Sequence, residues 1–352
     1  MSQSKSITCI SCGAEFTFSA TEQQQFKDKL STYQMVSIPD IRLKPEHTLY
    51  ILGNGFDMMH GVKSSYYDFA ATIGKKNSLR FCMETYLNVD NLWGDFEEAL
   101  GHLNVSMMMN PMVVDMWLDD FGAYDPDAQA ADFFCAVDAI THPASEITTE
   151  LPRRFRMWVE SLKVESDERP LKDLIQDAKV LCFNYTEFVE ELYGVSTEHV
   201  CYIHGCRRKQ KYHPKEKLIL GHRPGTGEEE WERVDARPHR FKDPYKRYIM
   251  ESAFDTAARN LLWYEDDTTK NCEEIIRSKS SFFEGLSQVN TIVVIGHSLS
   301  QVDWDYFAEV IRCSAQKLHW YIGCHGLKDL QRLERFMEAL DLSPEDVTIF
   351  KT

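Results

Sequence analysis

Short apolar runs alternate with longer helical patterns along this chain. Four runs are predominantly apolar, have the length of a strand and precede a helical pattern. Such runs are typical of parallel sheets covered by helices on both faces. Three shorter runs are further candidate strands. The longer runs are 48–52, 179–183, 291–295 and 318–322, and the shorter ones are 200–203, 218–220 and 347–350.

The stretch at about residues 64–177 has the period of amphipathic helices instead. Within it, the apolar positions of 92–103 share one helical face, and so do those of 151–162. We therefore predict a large helical insertion between the first and second strands, and another long helix at 245–265. The predicted fold class is α/β, with a Rossmann-like parallel sheet.

The first 45 residues are predicted to form an N-terminal arm, because prolines at 39 and 45 bound an extended connector. Cys9 and Cys12 have the spacing of a zinc knuckle. The arm resembles a small zinc ribbon. It would be a degenerate one, because the second cysteine pair of such a ribbon is missing from the arm. Zinc on Cys9 and Cys12 is one hypothesis, and a metal-free interaction arm is the other. The predicted domains are thus 1–45 and 46–352.

Composition narrows the class of protein. The chain has 352 residues, 43% of them hydrophobic and 27% charged, as in an ordinary globular protein. The net charge of −16 argues against broad nucleic-acid binding, which needs a basic surface. No apolar run is long enough to span a membrane. The N-terminus lacks the apolar core of a secretory signal, so the ten cysteines indicate reduced thiols in the cytoplasm.

The negative charge is concentrated in one segment. Residues 81–152 contain 14 acidic residues and no Lys or Arg, which leaves 41 acids and 39 bases, a net charge of −2, for the remainder. The global charge therefore does not exclude a polyanionic ligand. The acidic segment also contains five methionines between 107 and 116. We predict that it mediates contacts within a homo-oligomer or with a partner protein. A Met-rich core with a solvated acidic face is the alternative.

Glycine and polar residues follow two of the long strands, where open α/β sheets bind ligands. A glycine turn after the first strand lets the backbone approach a phosphate, although a plain turn is the alternative. The loop after 291–295 leads to a helix with an acid in its first turn, which also fits a ligand-facing loop. The candidate nucleotide-binding residues of the two loops are Gly53, Asn54, Gly55, Phe56 and Asp57, and Gly296, His297, Ser298 and Asp303.

Two other strand ends carry candidate chemistry. Asn184 and Tyr185 follow the second long strand, and an asparagine amide can both donate to and accept from a ribose hydroxyl or a water. His204 and Gly205 follow the short strand after it. Histidine titrates near neutral pH and can take a proton from a hydroxyl. A helix cap at Asn184 and a structural histidine at His204 are the alternatives.

In their order and spacing these motifs resemble the AbiH family of bacterial abortive-infection proteins, which act against bacteriophages. The resemblance covers roughly residues 47–352 and implies a cytoplasmic defence effector with a nucleotide-binding α/β domain. The segments that carry it are 51–57, 92–97, 183–186, 203–205 and 295–299.

The same order also resembles sirtuins and the sirtuin-like NAD hydrolases of phage defence. That resemblance implies that Asn184 and His204 are catalytic and that the loops at 53–57 and 296–298 bind the nucleotide. NAD is then the ligand or the substrate, hydrolysed to ADP-ribose and nicotinamide. Thr186 stands where sirtuins carry an acidic residue, and no deacetylase-type zinc module follows His204, so hydrolysis is favoured over deacetylation.

Two other functions stay open on the sequence alone. A non-enzymatic sensor could use the same pocket to bind NAD or ADP-ribose and gate a partner. A nuclease-like effector could use the basic loops at 207–211 and 233–247, although no metal-nuclease signature accompanies them. For the NAD hydrolase and for the sensor, the expected ligand is a dinucleotide.

Overall fold

The computed structural model describes residues 33–37, 41, 43–171, 175, 177–208, 217–226 and 241–351, the single positions 21, 24 and 28, and two N-terminal strands. Those strands, β1 (Lys5–Thr8) and β2 (Glu15–Phe18), form an antiparallel pair. The chain divides into two compact units. The sheet unit comprises Met1–Asp68, Trp158–Ile219 and Asn271–Thr352, and the helical unit comprises Phe69–Met157 and Leu220–Lys270.

The sheet unit is built on a seven-stranded sheet. Its strands are β3 (Gln34–Val36), β4 (Thr48–Leu52), β5 (Lys179–Cys182), β6 (Val200–Tyr202), β7 (Thr291–Ile295), β8 (His319–Cys324) and β9 (Val347–Lys351). Their order is β3-β9-β8-β7-β4-β5-β6, and every neighbouring pair is parallel. This confirms the predicted α/β class with a parallel sheet.

Helices occupy most of the remaining described residues. In chain order they are α1 (Asn54–Met59), α2 (Tyr66–Ile73), α3 (Ser78–Tyr86), α4 (Phe96–Ala99), α5 (Val105–Met108), α6 (Pro111–Asp120), α7 (Ala130–Ser161), α8 (Phe188–Tyr193), α9 (Pro244–Thr268), α10 (Cys272–Ser278), α11 (Ser280–Glu284), α12 (Trp304–Cys313) and α13 (Leu327–Ala339). The predicted long helix at 245–265 is confirmed as α9.

The core of the sheet unit explains why its central strands are apolar on both faces. All five residues of β4 are buried, and Phe307 of α12 packs edge-on against Phe336 of α13 at 4.8 Å between ring centres. Trp320 of β8 is fully buried beside them. Each such side chain contributes about 1.5–3 kcal/mol when it is removed from water. The sheet is therefore a rigid support for the loops at its carboxyl edge.

The helical unit has an aromatic core of its own. Phe69 packs edge-on against Phe96 and Phe155, at 6.0 and 5.5 Å between ring centres. Trp93 stacks on Phe96 at 5.4 Å. In the same unit the Tyr264 hydroxyl donates to the carbonyl oxygen of Leu100 at 2.6 Å, which ties α9 to the turn after α4.

Two predicted elements differ from the structure. Residues 218–220 form no strand, because the Ile219 N–H donates to the carbonyl oxygen of His204 at 2.9 Å and the Ile219 carbonyl accepts from the Tyr185 hydroxyl. These groups bond to a loop and a side chain, not to a neighbouring strand. The predicted helix at 92–103 is reduced to α4, since turns occupy 91–94 before it. In addition, β3 lies within the predicted N-terminal arm and pairs with β9.

The methionines of the acidic segment divide between core and surface. Met108 and Met109 are buried, whereas Met107, Met112 and Met116 are exposed. Met112 is 81% exposed on α6. Both interpretations of this segment therefore apply to part of it, and its role as a partner surface stays a prediction.

The structure also addresses two expectations from the sequence, reduced cysteines and the lack of a membrane-spanning segment. The eight cysteines from Cys82 onward are present as thiols. Among the helices that the structure describes, none combines the length and the apolar character needed to cross a membrane.

Candidate functional site

The candidate site lies at the carboxyl ends of β4, β5, β6 and β7. From β4 the strand order runs outward to β5 and β6, and from the neighbouring β7 it runs the other way to β8 and β9. Open α/β sheets bind ligands in the crevice where the strand order reverses in this manner. The four loops singled out in the sequence follow these four strands.

The loops after β4 and β7 are in direct backbone contact. The Gly53 N–H donates to the Ile295 carbonyl at 3.0 Å, and the Gly55 N–H donates to the Gly296 carbonyl at 2.8 Å. A Cβ atom on Gly296 would lie 2.3 Å from the nitrogen of Phe56. These glycines are therefore required for the close approach of two loops, and a phosphate-binding role for them stays a prediction.

Replacing Gly296 by alanine is expected to lower stability by about 2–4 kcal/mol. The new Cβ would clash with backbone atoms, and Gly296 has a φ of +64°, which favours glycine. The melting temperature of the sheet unit should fall by about 5–10 °C. Gly194→Ala is the matched control, since Gly194 has a φ of +69° and a Cβ added there would have no atom within 4 Å. Equal losses in the two variants would show that the loop contact contributes nothing.

Asp57 is the central buried carboxylate of the β4 side. It is 2% exposed, and both of its oxygens accept hydrogen bonds from the loop after β5. Asn184 Nδ2 donates to Oδ1 at 2.7 Å, and Thr186 Oγ1 donates to Oδ2 at 2.6 Å. Burial raises the pKa of Asp57 to about 7, against the lowering effect of these two hydrogen bonds and of the Arg207 charge. The site thus contains a carboxyl group that titrates near neutral pH.

A second buried carboxylate, Asp303, faces two histidines. His204 Nε2 lies 3.5 Å from Asp303 Oδ1, and His297 Nε2 lies 3.4 Å from Asp303 Oδ2. The Nδ1 of His297 accepts from the Leu299 N–H at 2.9 Å, so in the neutral ring the proton is on Nε2 and points at Asp303. Asp303 can stabilise a positive charge on either imidazole.

Aromatic rings enclose both histidines. Phe183 packs edge-on against His204 and His297, at 5.3 and 4.4 Å between ring centres. Tyr306 contacts the His204 ring, and Phe307 contacts the His297 ring. Because such surroundings hold little water, an imidazolium here depends on the Asp303 carboxylate for its stabilisation.

The backbone around the histidines is held in unusual conformations. Leu299 has a φ of +53°, which residues other than glycine rarely adopt. Gly205 and Gly296, each adjacent to one of the histidines, also have positive φ, at +82° and +64°. Strain of this kind concentrates at functional sites. The loops after β6 and β7 are therefore candidates for a ligand-binding surface.

The remaining predicted site residues have varied surroundings. Asn54 Oδ1 accepts from the Ser64 hydroxyl at 2.5 Å. Phe56 is buried, with its ring against His60 and Tyr193. Ser298 is exposed. Of the predicted catalytic and nucleotide-binding residues, Ser298 is thus the exposed one, and the others are buried or half-buried.

Sequence reasoning misses the partners of the loop after β5. Thr186 stands out in the sequence only as a departure from sirtuins, yet its hydroxyl is bonded to Asp57. Arg207, in the predicted basic loop, pairs with Glu187 at 3.0 Å and donates to the carbonyl oxygens of Val159 and Leu162. Arg208 pairs with Glu190. The sequence indicates these pairs only through the positions of Glu187 and Glu190, three and six residues after Asn184.

The predicted metal ligands, Cys9 and Cys12, belong to the N-terminal arm and not to this site. Cys9 and Cys12 lie outside the described residues. In the part of the chain that is described, no group of three or more His, Cys, Asp or Glu side chains could hold a metal ion. Zinc in the N-terminal arm stays a prediction.

The fold and these loops define a doubly wound α/β protein with polar side chains gathered where the strand order reverses. A family model described as "Bacteriophage abortive infection AbiH" matches residues 49–323, and the chain belongs to this family. Membership supports a role in abortive-infection defence against bacteriophages. A second model, "Probable treble clef domain", matches residues 3–37, within the predicted zinc-ribbon-like arm. Neither the curated proteins nor the solved structures gave a significant match.

Proposed function

We propose that this protein acts in phage defence by binding NAD and hydrolysing it to ADP-ribose and nicotinamide. The observation that supports this most is the pairing of each predicted catalytic side chain with a buried carboxylate. Asn184, after β5, is bonded to Asp57, and His204, after the adjacent β6, faces Asp303. Depletion of NAD would stop the metabolism of an infected cell, which is the outcome expected of abortive infection.

His204 is suited to act as the general base. In the proposed step, a water oxygen forms a bond to C1′ of the ribose. The bond between C1′ and the nicotinamide nitrogen breaks, and its electron pair stays with nicotinamide. The proton of the water passes to His204, and Asp303, 3.5 Å away, stabilises the resulting imidazolium.

Asn184 is suited to position the substrate. Its Nδ2 is bonded to Asp57, so its amide oxygen is the group available to accept from a ribose hydroxyl or from the attacking water. The sirtuin resemblance supports the same assignment for Asn184 and His204. Most of the rate acceleration would come from this positioning.

The test is incubation of the purified full-length protein with NAD, followed by chromatographic measurement of nicotinamide and ADP-ribose. Equal amounts of the two products support the proposal. NAD that binds but is recovered intact supports a nucleotide sensor instead. Absence of both binding and turnover, in the presence of an infected-cell extract as well as without it, would contradict both functions.

A further inference from the structure

Asp57 and Asn184 form a buried pair in which only one arrangement of the amide is chemically consistent. Asp57 lies on α1 and is 2% exposed, and Asn184 is 6% exposed. The atoms that meet, at 2.7 Å, are Nδ2 of Asn184 and Oδ1 of Asp57. An ionised carboxylate can only accept hydrogen bonds, so it must face the amide nitrogen and not the amide oxygen.

This contact determines which end of the Asn184 amide faces away from Asp57. With Nδ2 held by the carboxylate, Oδ1 points elsewhere and offers an acceptor. A half-turn of the amide would exchange the two, and would present a donor where the acceptor had been. An acceptor binds the O–H of a water or a ribose hydroxyl and leaves the lone pairs of that oxygen free to attack. A donor would bind those lone pairs and make the oxygen less nucleophilic.

We propose that Asp57 is a positioning residue, which fixes the Asn184 amide so that its oxygen accepts from the hydroxyl or water of the ligand. The proposal rests on the proposed function of this site and deepens it. Protonation of Asp57 on Oδ1, the oxygen that accepts from Asn184, would turn that acceptor into a donor, release the amide, and switch the site off.

The charged and titratable groups around Asp57 determine the pH at which this switch operates. The Asp57 pKa is raised to about 7, mainly by burial and to a smaller extent by Glu187, while hydrogen bonds from Thr186 and Asn184 and the charge of Arg207 act to lower it. The buried thiol of Cys182 on β5 is also near Asp57: burial first, and then the Asp57 charge, raise the pKa of this thiol. We therefore expect Asn184 to be fixed above about pH 7 and released below it.

The test is the side-chain amide signal of Asn184 in an NMR spectrum of protein labelled with ¹⁵N-asparagine, identified by its loss in Asn184→Ala. In the wild type the signal should shift with pH with a midpoint of about 7. In Asp57→Asn it should not titrate in this range. Thr186→Val removes a hydrogen bond that lowers the Asp57 pKa, so it should move the midpoint to higher pH while keeping Asn184 in place. A wild-type signal that is constant from pH 5 to 9 would overturn the proposal.

Kinetics supply the second readout. Asp57→Asn should lower kcat for NAD by about 10–100-fold, the range expected from misplacement of a positioned group, with KM changed less than about 2-fold. Wild-type kcat in Asp57→Asn would overturn the proposal. If the wild type turns over no NAD but its amide signal titrates, the proposed function fails and the positioning of Asn184 stands.

Stability distinguishes positioning from a purely structural role. Because the folded-state pKa of Asp57 is raised, its contribution to stability is present at low pH and is lost as pH rises through about 7. Asp57→Asn cannot ionise, so its melting temperature relative to the wild type should increase from pH 5 to pH 8. A variant that is less active yet no less stable at pH 8 supports positioning. A variant that is destabilised more at pH 8 than at pH 5 would contradict it.

Discussion

Replacing His204 by alanine is expected to lower NAD turnover by about 10²–10⁴-fold, the usual contribution of a positioned general base. The imidazole is 2% exposed, lies 3.5 Å from Asp303, and is enclosed by aromatic rings. Without it, the remaining imidazole beside Asp303 is His297, which follows β7 and not β6. The measurement is the initial rate of nicotinamide release at saturating NAD.

Controls separate loss of chemistry from loss of fold. His204→Gln keeps most of the buried volume, so it should melt close to the wild type and still lose turnover. His325→Ala replaces an exposed histidine of the same unit and should retain wild-type rates. Full turnover in a folded His204→Ala or His204→Gln protein would remove His204 from the mechanism.

Asn184 gives a parallel test on the neighbouring strand. Asn184→Ala removes the amide that we assign to the ribose hydroxyl or water, and leaves Asp57 with Thr186 as its remaining side-chain donor. We expect a loss of turnover of about 10²-fold from misplacement of the reacting groups. Asn290→Ala, at the exposed opposite end of β7, should have no such effect.

Local pattern is sufficient to predict most of the sheet but not its full extent. The strands β4, β5 and β7 are buried on both faces, whereas β8 alternates between buried and half-buried residues. Both patterns are visible in a short window of sequence. At 218–220 the same apolar pattern occurs, but its backbone bonds to the His204 loop. β3 has exposed residues and is a strand because β9 offers an edge to it. Such pairings depend on tertiary structure, which local pattern does not encode.

The site can be predicted loop by loop, but not as a set of contacts. Strand ends followed by glycine and polar residues indicate each loop separately. That Asp57 meets Asn184, and that Asp303 lies between His204 and His297, follows from the order β7-β4-β5-β6. The sequence contains no signal for that order, so it predicts the carboxylates as ligand-binding residues and not their bonds to other site residues.

The strongest stability effect is expected in the helical unit, at Lys270. This side chain is fully buried and pairs with Glu97 of α4, whose side chain is 14% exposed. Its backbone N–H donates to the carbonyl oxygen of His222 at 2.8 Å. Removing one partner of a buried ion pair leaves the other charge uncompensated, which costs about 3–5 kcal/mol.

Lys270→Met should therefore lower the melting temperature of the helical unit by about 10 °C or more. The matched control is Arg153→Gln, which breaks a more exposed pair with Glu150 in the same unit, and it should cost less than about 0.5 kcal/mol. The double variant Lys270→Met/Glu97→Leu removes both charges and should recover most of the loss, because apolar groups can replace a buried pair at little cost. Urea denaturation of the three variants measures these differences. A single variant as stable as the wild type would show that Glu97 is solvated, and a double variant no better than the single one would assign the loss to packing.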